Sequence, residues 1–119
     1  MKKVLICEDE KSVQEYLRDI LNKKDCEIFT AEDGQEAINK AKQINPDLIL
    51  LDIRMPKLNG LEAAKKIRSF NKNAKLIFIT GFESPELSKE EEKYDILNYI
   101  AKSSPTQEVL KLIDKALES

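Results

Sequence analysis

The feature that most constrains this chain is an alternation repeated five times: a short apolar run, then a stretch whose apolar residues recur at helical spacing. The runs occupy residues 4–7, 26–31, 48–51, 76–79 and 97–101. After the first, Val13, Tyr16, Leu17, Ile20 and Leu21 predict an amphipathic helix over roughly 11–24. After the second, Asp33 with Glu36 three positions on reads as a capping box, Ala37, Ile38, Ala41 and Ile44 carry the helix, and Asn45-Pro46 stops it. Leu61, Ala64 and Ile67 mark a third helix, and Ser84-Pro85 opens a short one over 86–95 with only Leu87 and Tyr94 to bury. Ser104-Pro105-Thr106-Gln107 caps a last helix that presents Val109, Leu112, Ile113, Ala116 and Leu117. Strict strand–helix alternation predicts an α/β fold, a parallel sheet with helices on both faces. Strands apolar throughout fit burial on both sides. At 119 residues, without repeats or a Gly/Ser/Pro-rich linker, the expectation is one domain over 1–119.

Composition removes several classes of function. Twenty Lys+Arg against 22 Asp+Glu leave a net charge of −2, without the basic excess of a nucleic-acid or anionic-membrane binder. The first apolar run meets Glu8-Asp9-Glu10 too soon to be a signal-peptide core, and no apolar window is long enough to span a bilayer, so a cytoplasmic location is expected. There is no histidine, which excludes a Ser–His–Asp triad, a Cys–His nucleophile and a Cys/His zinc site. Cys7 ends the first strand and Cys26 begins the second. In parallel neighbours they stand roughly 15 Å apart, too far for a disulfide. Chemistry here must run on carboxylates, hydroxyls and lysine.

Such groups collect where they are useful. Open parallel sheets bind ligands outside the carboxyl ends of their strands. Strands one, three, four and five end in Glu8-Asp9, Asp52, Thr80 and Lys102. Three converging carboxylates repel one another and call for a hard cation such as Mg²⁺, which oxygen ligands favour. Asp52 is then the candidate nucleophile, forming an aspartyl phosphate. Lys102 supplies a point charge, and the Thr80 hydroxyl a donor, for phosphoryl oxygens. Taken singly, each residue has an ordinary reading as a turn cap, a strand terminus or a surface lysine. Their arrival together at four of five strand ends outweighs those readings.

The stretches 4–10, 46–56, Gly60, 76–80 and 99–102, in this order and spacing, resemble the receiver domain of two-component response regulators, of the CheY-like single-domain type. The resemblance covers the whole chain. It implies a doubly wound, flavodoxin-like (βα)5 sheet of order 2-1-3-4-5. It implies that Asp52 accepts a phosphoryl group from a phosphohistidine on a sensor histidine kinase or histidine phosphotransfer protein. Asp9, Asp52 and the backbone carbonyl of Arg54 would ligate Mg²⁺, with Glu8 acting through water. Thr80 and Tyr99 would be a switch pair that reshapes a surface read by a downstream effector protein. Such a domain assists its own phosphorylation and dephosphorylation without being a conventional turnover enzyme, and it neither contacts nucleic acid nor enters a membrane. Ser103 stands where the family usually has proline in a cis peptide after the lysine, and Gly81 where alanine is usual. Arg54 and Phe82, each two residues past a site residue, would border the phosphoryl group. The alternative is a receiver-like interaction domain that works without phosphorylation. An aspartate phosphatase needs a second acid where Arg54 stands, and a dinucleotide-binding domain needs glycines where Glu8-Asp9-Glu10-Lys11 stands.

Overall fold

The computed structural model describes residues 1–80, 96–101 and 104–118, with residues 80 and 96–101 described by backbone only. Five strands, β1 (Lys2–Cys7), β2 (Cys26–Ala31), β3 (Leu48–Asp52), β4 (Lys75–Thr80) and β5 (Ile96–Ala101), form one sheet of order β2-β1-β3-β4-β5. Every pairing is parallel, as the alternation predicts. Four helices are described: α1 (Lys11–Asn22), α2 (Gly34–Ile44), α3 (Gly60–Phe70) and α4 (Thr106–Glu118). The helix expected over 86–95 lies outside the described residues.

Side chains alternate across the pleat, so β1, β3 and β4 each feed two cores. Leu5, Cys7, Ile49, Leu51, Leu76 and Phe78 pack with Ala37, Ala41, Ala63, Ala64 and Ile67 of α2 and α3. Val4, Ile6, Leu48, Leu50, Ile77 and Ile79 pack with Leu17, Ile20 and Leu21 of α1 and Val109, Ile113 and Ala116 of α4. Every residue of the central strand β3 is buried. That is why its last residue, Asp52, reaches the sheet edge still enclosed.

Local chemistry sets the helix ends. The Asp33 carboxylate accepts the Glu36 N–H at 2.8 Å and caps α2, as expected from the sequence. Asn59 does the same for α3 through Glu62 N–H at 2.9 Å. Asn45 closes α2 in the left-handed region at φ 53°. Helix α1 stops at Asn22, two residues short of the expected 24, as the chain turns back through a Lys24 N–H to Leu21 carbonyl bond into β2. Tyr16 is not a core residue, although its spacing suggested one. It is 39 % exposed, and its hydroxyl meets Thr106 Oγ1 at 2.9 Å across the α1–α4 seam. The cysteines are free, at opposite ends of the β1–β2 pair.

Candidate functional site

Because β1 and β3 are neighbours, with Cys7 opposite Leu51, the residues that follow them meet at one edge. One carboxylate oxygen from each of Glu8, Asp9 and Asp52 lies within 4.8 Å of the other two. Glu8 is fully buried and Asp52 is 2 % exposed, while Asp9 faces solvent. Two enclosed carboxylates beside a third carry desolvation and mutual repulsion together, a combination that a cation relieves. The donor set is oxygen only, and the open side at Asp9 leaves room for water. Both properties fit Mg²⁺, which keeps several waters and binds through one or two carboxylates.

Hydrogen bonds hold Glu8 and Asp52 in place. The Glu8 N–H continues the β1–β2 ladder to the Ala31 carbonyl at 2.9 Å, which holds Glu8 in line with the strand. On α1, the buried Gln14 side chain donates from Nε2 to the Glu8 carbonyl. Asp52 Oδ1 accepts the Arg54 N–H at 3.2 Å, closing a short turn on the carboxylate itself. Ile53 N–H bonds the Ile79 carbonyl at 3.2 Å, and Gly60 N–H bonds the Ile53 carbonyl at 2.8 Å. Gly60 has to be glycine: a Cβ there would stand 2.3 Å from the Asp52 carbonyl oxygen and 2.8 Å from Ile53 Cα.

Two nearby groups titrate away from their ordinary ranges. Burial pushes the Cys7 thiol well up, and Glu36 adds to the effect, so Cys7 is an inert core residue. The Asp33 carboxyl is held below its usual range, first by the Glu36 N–H and further by Lys57, whose Nζ stands 3.5 Å from Asp33 Oδ2.

Of the candidates named from sequence, the structure brings Glu8, Asp9 and Asp52 together, and the Arg54 backbone touches the Asp52 carboxylate. Thr80 closes β4 directly after Ile79, the residue paired with Asp52, and Tyr99 pairs with Phe78 in the backbone register. The side chains of Thr80 and Tyr99 lie outside the described residues, as do Gly81, Phe82, Lys102 and Ser103 entirely. Gln14 and Gly34 were missed as contributors, and Gly60, named for the resemblance, was given no role at the site. Gln14 had a visible signal, a polar residue on an otherwise apolar helix face. Among the described residues, no helix is long and apolar enough to cross a membrane.

A family model described as "Response regulator receiver domain" matches residues 4–114. The chemotaxis protein CheY of Treponema pallidum is 35% identical over 119 residues, covering 98% of this chain and 83% of that protein. The transcriptional regulatory protein LnrK of Bacillus subtilis is 35% identical over 115 residues, and there the match covers 95% of this chain but 52% of the relative. Among solved structures, the response regulator protein TrrA of Thermotoga maritima, in complex with Mg²⁺-BeF, superposes with a TM-score of 0.85 at 35% identity, covering 98% of this chain and 99% of that one.

Proposed function

Since this chain belongs to the response-regulator receiver family of two-component signalling, we propose that Asp52 is its phosphoacceptor and that Glu8, Asp9 and Asp52 hold Mg²⁺. The observation that carries this reading is the meeting of three carboxylates at the ends of adjacent strands, two of them enclosed. In the reaction, an Asp52 carboxylate oxygen attacks the phosphorus of a phosphohistidine on a sensor kinase or phosphotransfer protein. A P–O bond forms as the P–N bond breaks, and the electron pair stays on the imidazole nitrogen. The Arg54 N–H holds the carboxylate in one orientation, so little freedom is lost on reaching the attacking geometry. Bound Mg²⁺ supplies positive charge for the carboxylates and the transferred phosphoryl oxygens. Asp9 and Asp52 would hold it with the Arg54 carbonyl, and Glu8 through water.

Lys102 and Thr80 take the remaining phosphoryl oxygens in this reading, and Thr80 with Tyr99 converts phosphorylation into a population shift between two packings. The domain, taken as residues 1–119, acts in the cytoplasm by protein contact with its kinase and a downstream effector. It has no nucleic-acid or membrane contact of its own and no turnover activity beyond its own phosphorylation and hydrolysis.

Acetyl phosphate with Mg²⁺ is expected to add one phosphoryl group to the wild-type chain by intact mass and none to Asp52→Asn. Wild-type protein that stays unmodified while a control receiver reacts would favour a phosphorylation-independent interaction domain. Arg54, exposed beside the acceptor, is expected to govern water access to the acyl phosphate. Arg54→Ala should therefore change the phosphorylated lifetime more than Mg²⁺ affinity. Equal changes in both would remove that role.

A further inference from the structure

The loop from Asp52 to α3 contains a turn that its own sequence does not favour. Lys57 sits at φ 69°, and the Leu58 N–H bonds the Pro56 carbonyl at 2.9 Å. A two-residue-apart bond around a positive-φ centre is the uncommon, strained form of γ-turn. A lysine persists there only if its surroundings over-determine it.

Those surroundings are the first turn of α2. Gly34, its first residue, points its N–H at the same Pro56 carbonyl at 3.4 Å, using one of the donors that a helix start leaves without an internal partner. The preceding residue, Asp33, pairs with Lys57 at 3.5 Å. Gly34 also lacks the one atom that would spoil the fit: a Cβ there would stand 2.0 Å from the Leu58 carbonyl oxygen and 2.7 Å from its carbon. These are backbone atoms, so an added methyl must displace either the loop or the helix start. The loop's other end is Asp52 itself, gripped through the Arg54 N–H.

We infer that Gly34 is a positioning residue for the Asp52 site: by admitting the Leu58 carbonyl to the start of α2, it fixes the 53–59 loop and with it the Arg54 peptide at the metal position. The inference rests on the Mg²⁺ reading above. Gly34 touches neither metal nor phosphoryl group. It acts through a loop that would otherwise relax from its strained turn.

The test is a Mg²⁺ titration of ¹⁵N-labelled protein, followed by amide shifts, on wild type, Gly34→Ala and Ala41→Gly. The last loosens the buried middle of α2 without approaching the loop. In wild type, the Gly34 and Leu58 amides should shift along the same saturation curve as Asp9 and Arg54, while Asn45 at the far end of α2 stays put. Gly34→Ala should weaken Mg²⁺ binding by about threefold or more, approaching the low end of the roughly 10–100-fold typical of losing an outer-shell partner. Ala41→Gly should lower the melting temperature yet hold wild-type affinity. A Gly34 amide that ignores Mg²⁺ while Asp9 responds overturns the inference alone, and needs no variant to fold. So does equal weakening by Gly34→Ala and Ala41→Gly. If Glu8, Asp9 and Asp52 do not respond in wild type, the Mg²⁺ reading fails and the inference with it.

Discussion

The turn after β1 carries Glu8 and Asp9 to the site, the loop after β3 holds Asp52 at the end of its strand, and the two are built by different means. The first is short: Glu8 extends a strand ladder, and a side chain, Gln14, holds its carbonyl from α1. The second runs from Ile53 to Asn59 and is held chiefly by backbone against backbone, with Gly60 beneath Asp52 and Gly34 against Leu58, beside the Lys57–Asp33 ion pair. A turn held by a side chain weakens gradually when that side chain is cut back. A loop held by the absence of a Cβ tolerates nothing larger. The two halves of the site should therefore respond differently to substitution.

Gly60→Ala should be the most damaging single change, since the new methyl meets the Asp52 carbonyl oxygen at 2.3 Å. Overpacking against backbone predicts a loss of about 3 kcal/mol in denaturant unfolding. A loss near zero would mean that the β3 loop is as compliant as the β1 turn. Gln14→Ala removes a donor from the Glu8 carbonyl, and about 1–2 kcal/mol is expected in the same measurement. If it cost more than Gly60→Ala, the contrast would be reversed.

Asp9→Asn sharpens the comparison at the shared point, because two effects of opposite sign should appear. Without Mg²⁺, relief of repulsion should raise unfolding stability by up to about 1 kcal/mol. With excess Mg²⁺, the wild type should gain more than the variant, by binding linkage. A variant stabilised equally in both conditions would argue against a metal at this edge.

The smallest effect concerns the cap beside the loop. Asp33→Asn keeps a capping oxygen and removes the charge facing Lys57. The Asp33 carboxyl is held below its ordinary range in the fold, so its extra stability is present above about pH 3.9, the unfolded value. That stability fades as pH falls through the lower folded value. Wild type should exceed Asp33→Asn by under about 0.5 kcal/mol at neutral pH, and the two should converge in acid. A gap that widens on acidification would reverse the sign of the linkage.

Much of the fold was legible because strand burial and helix periodicity leave marks on every residue. The strands at 26–31 and 48–51 and the helices on both faces of the sheet follow from apolar spacing, and the Asp33 cap from the Asp33–Glu36 capping-box pattern. The acidic cluster was legible for a topological reason: parallel strands bring their carboxyl ends to one edge, so Glu8, Asp9 and Asp52 needed only the order β1-β3 to meet. The role of Gly34 was not, because it lies in a contact with a segment distant in sequence; Gln14 and Gly60, whose contacts are local, were visible as a polar residue on an apolar helix face and as part of the resemblance, without a sign of what they hold. Gly34 meets Leu58, and a glycine by itself does not say which backbone it makes room for. Tyr16 misled by its spacing. It sits at the margin of the α1 apolar face, where the ring stays exposed and the hydroxyl finds Thr106.

The central claim is that the three carboxylates form a Mg²⁺-dependent phosphoacceptor site with Asp52 as the reacting group. The most direct measurement is to treat the chain with acetyl phosphate and Mg²⁺, reduce the acyl phosphate with borohydride, and locate the product by peptide mass spectrometry. Homoserine at position 52, dependent on Mg²⁺, is the result the account predicts. Homoserine at position 9, or modification at 52 that proceeds equally well without Mg²⁺, would contradict it.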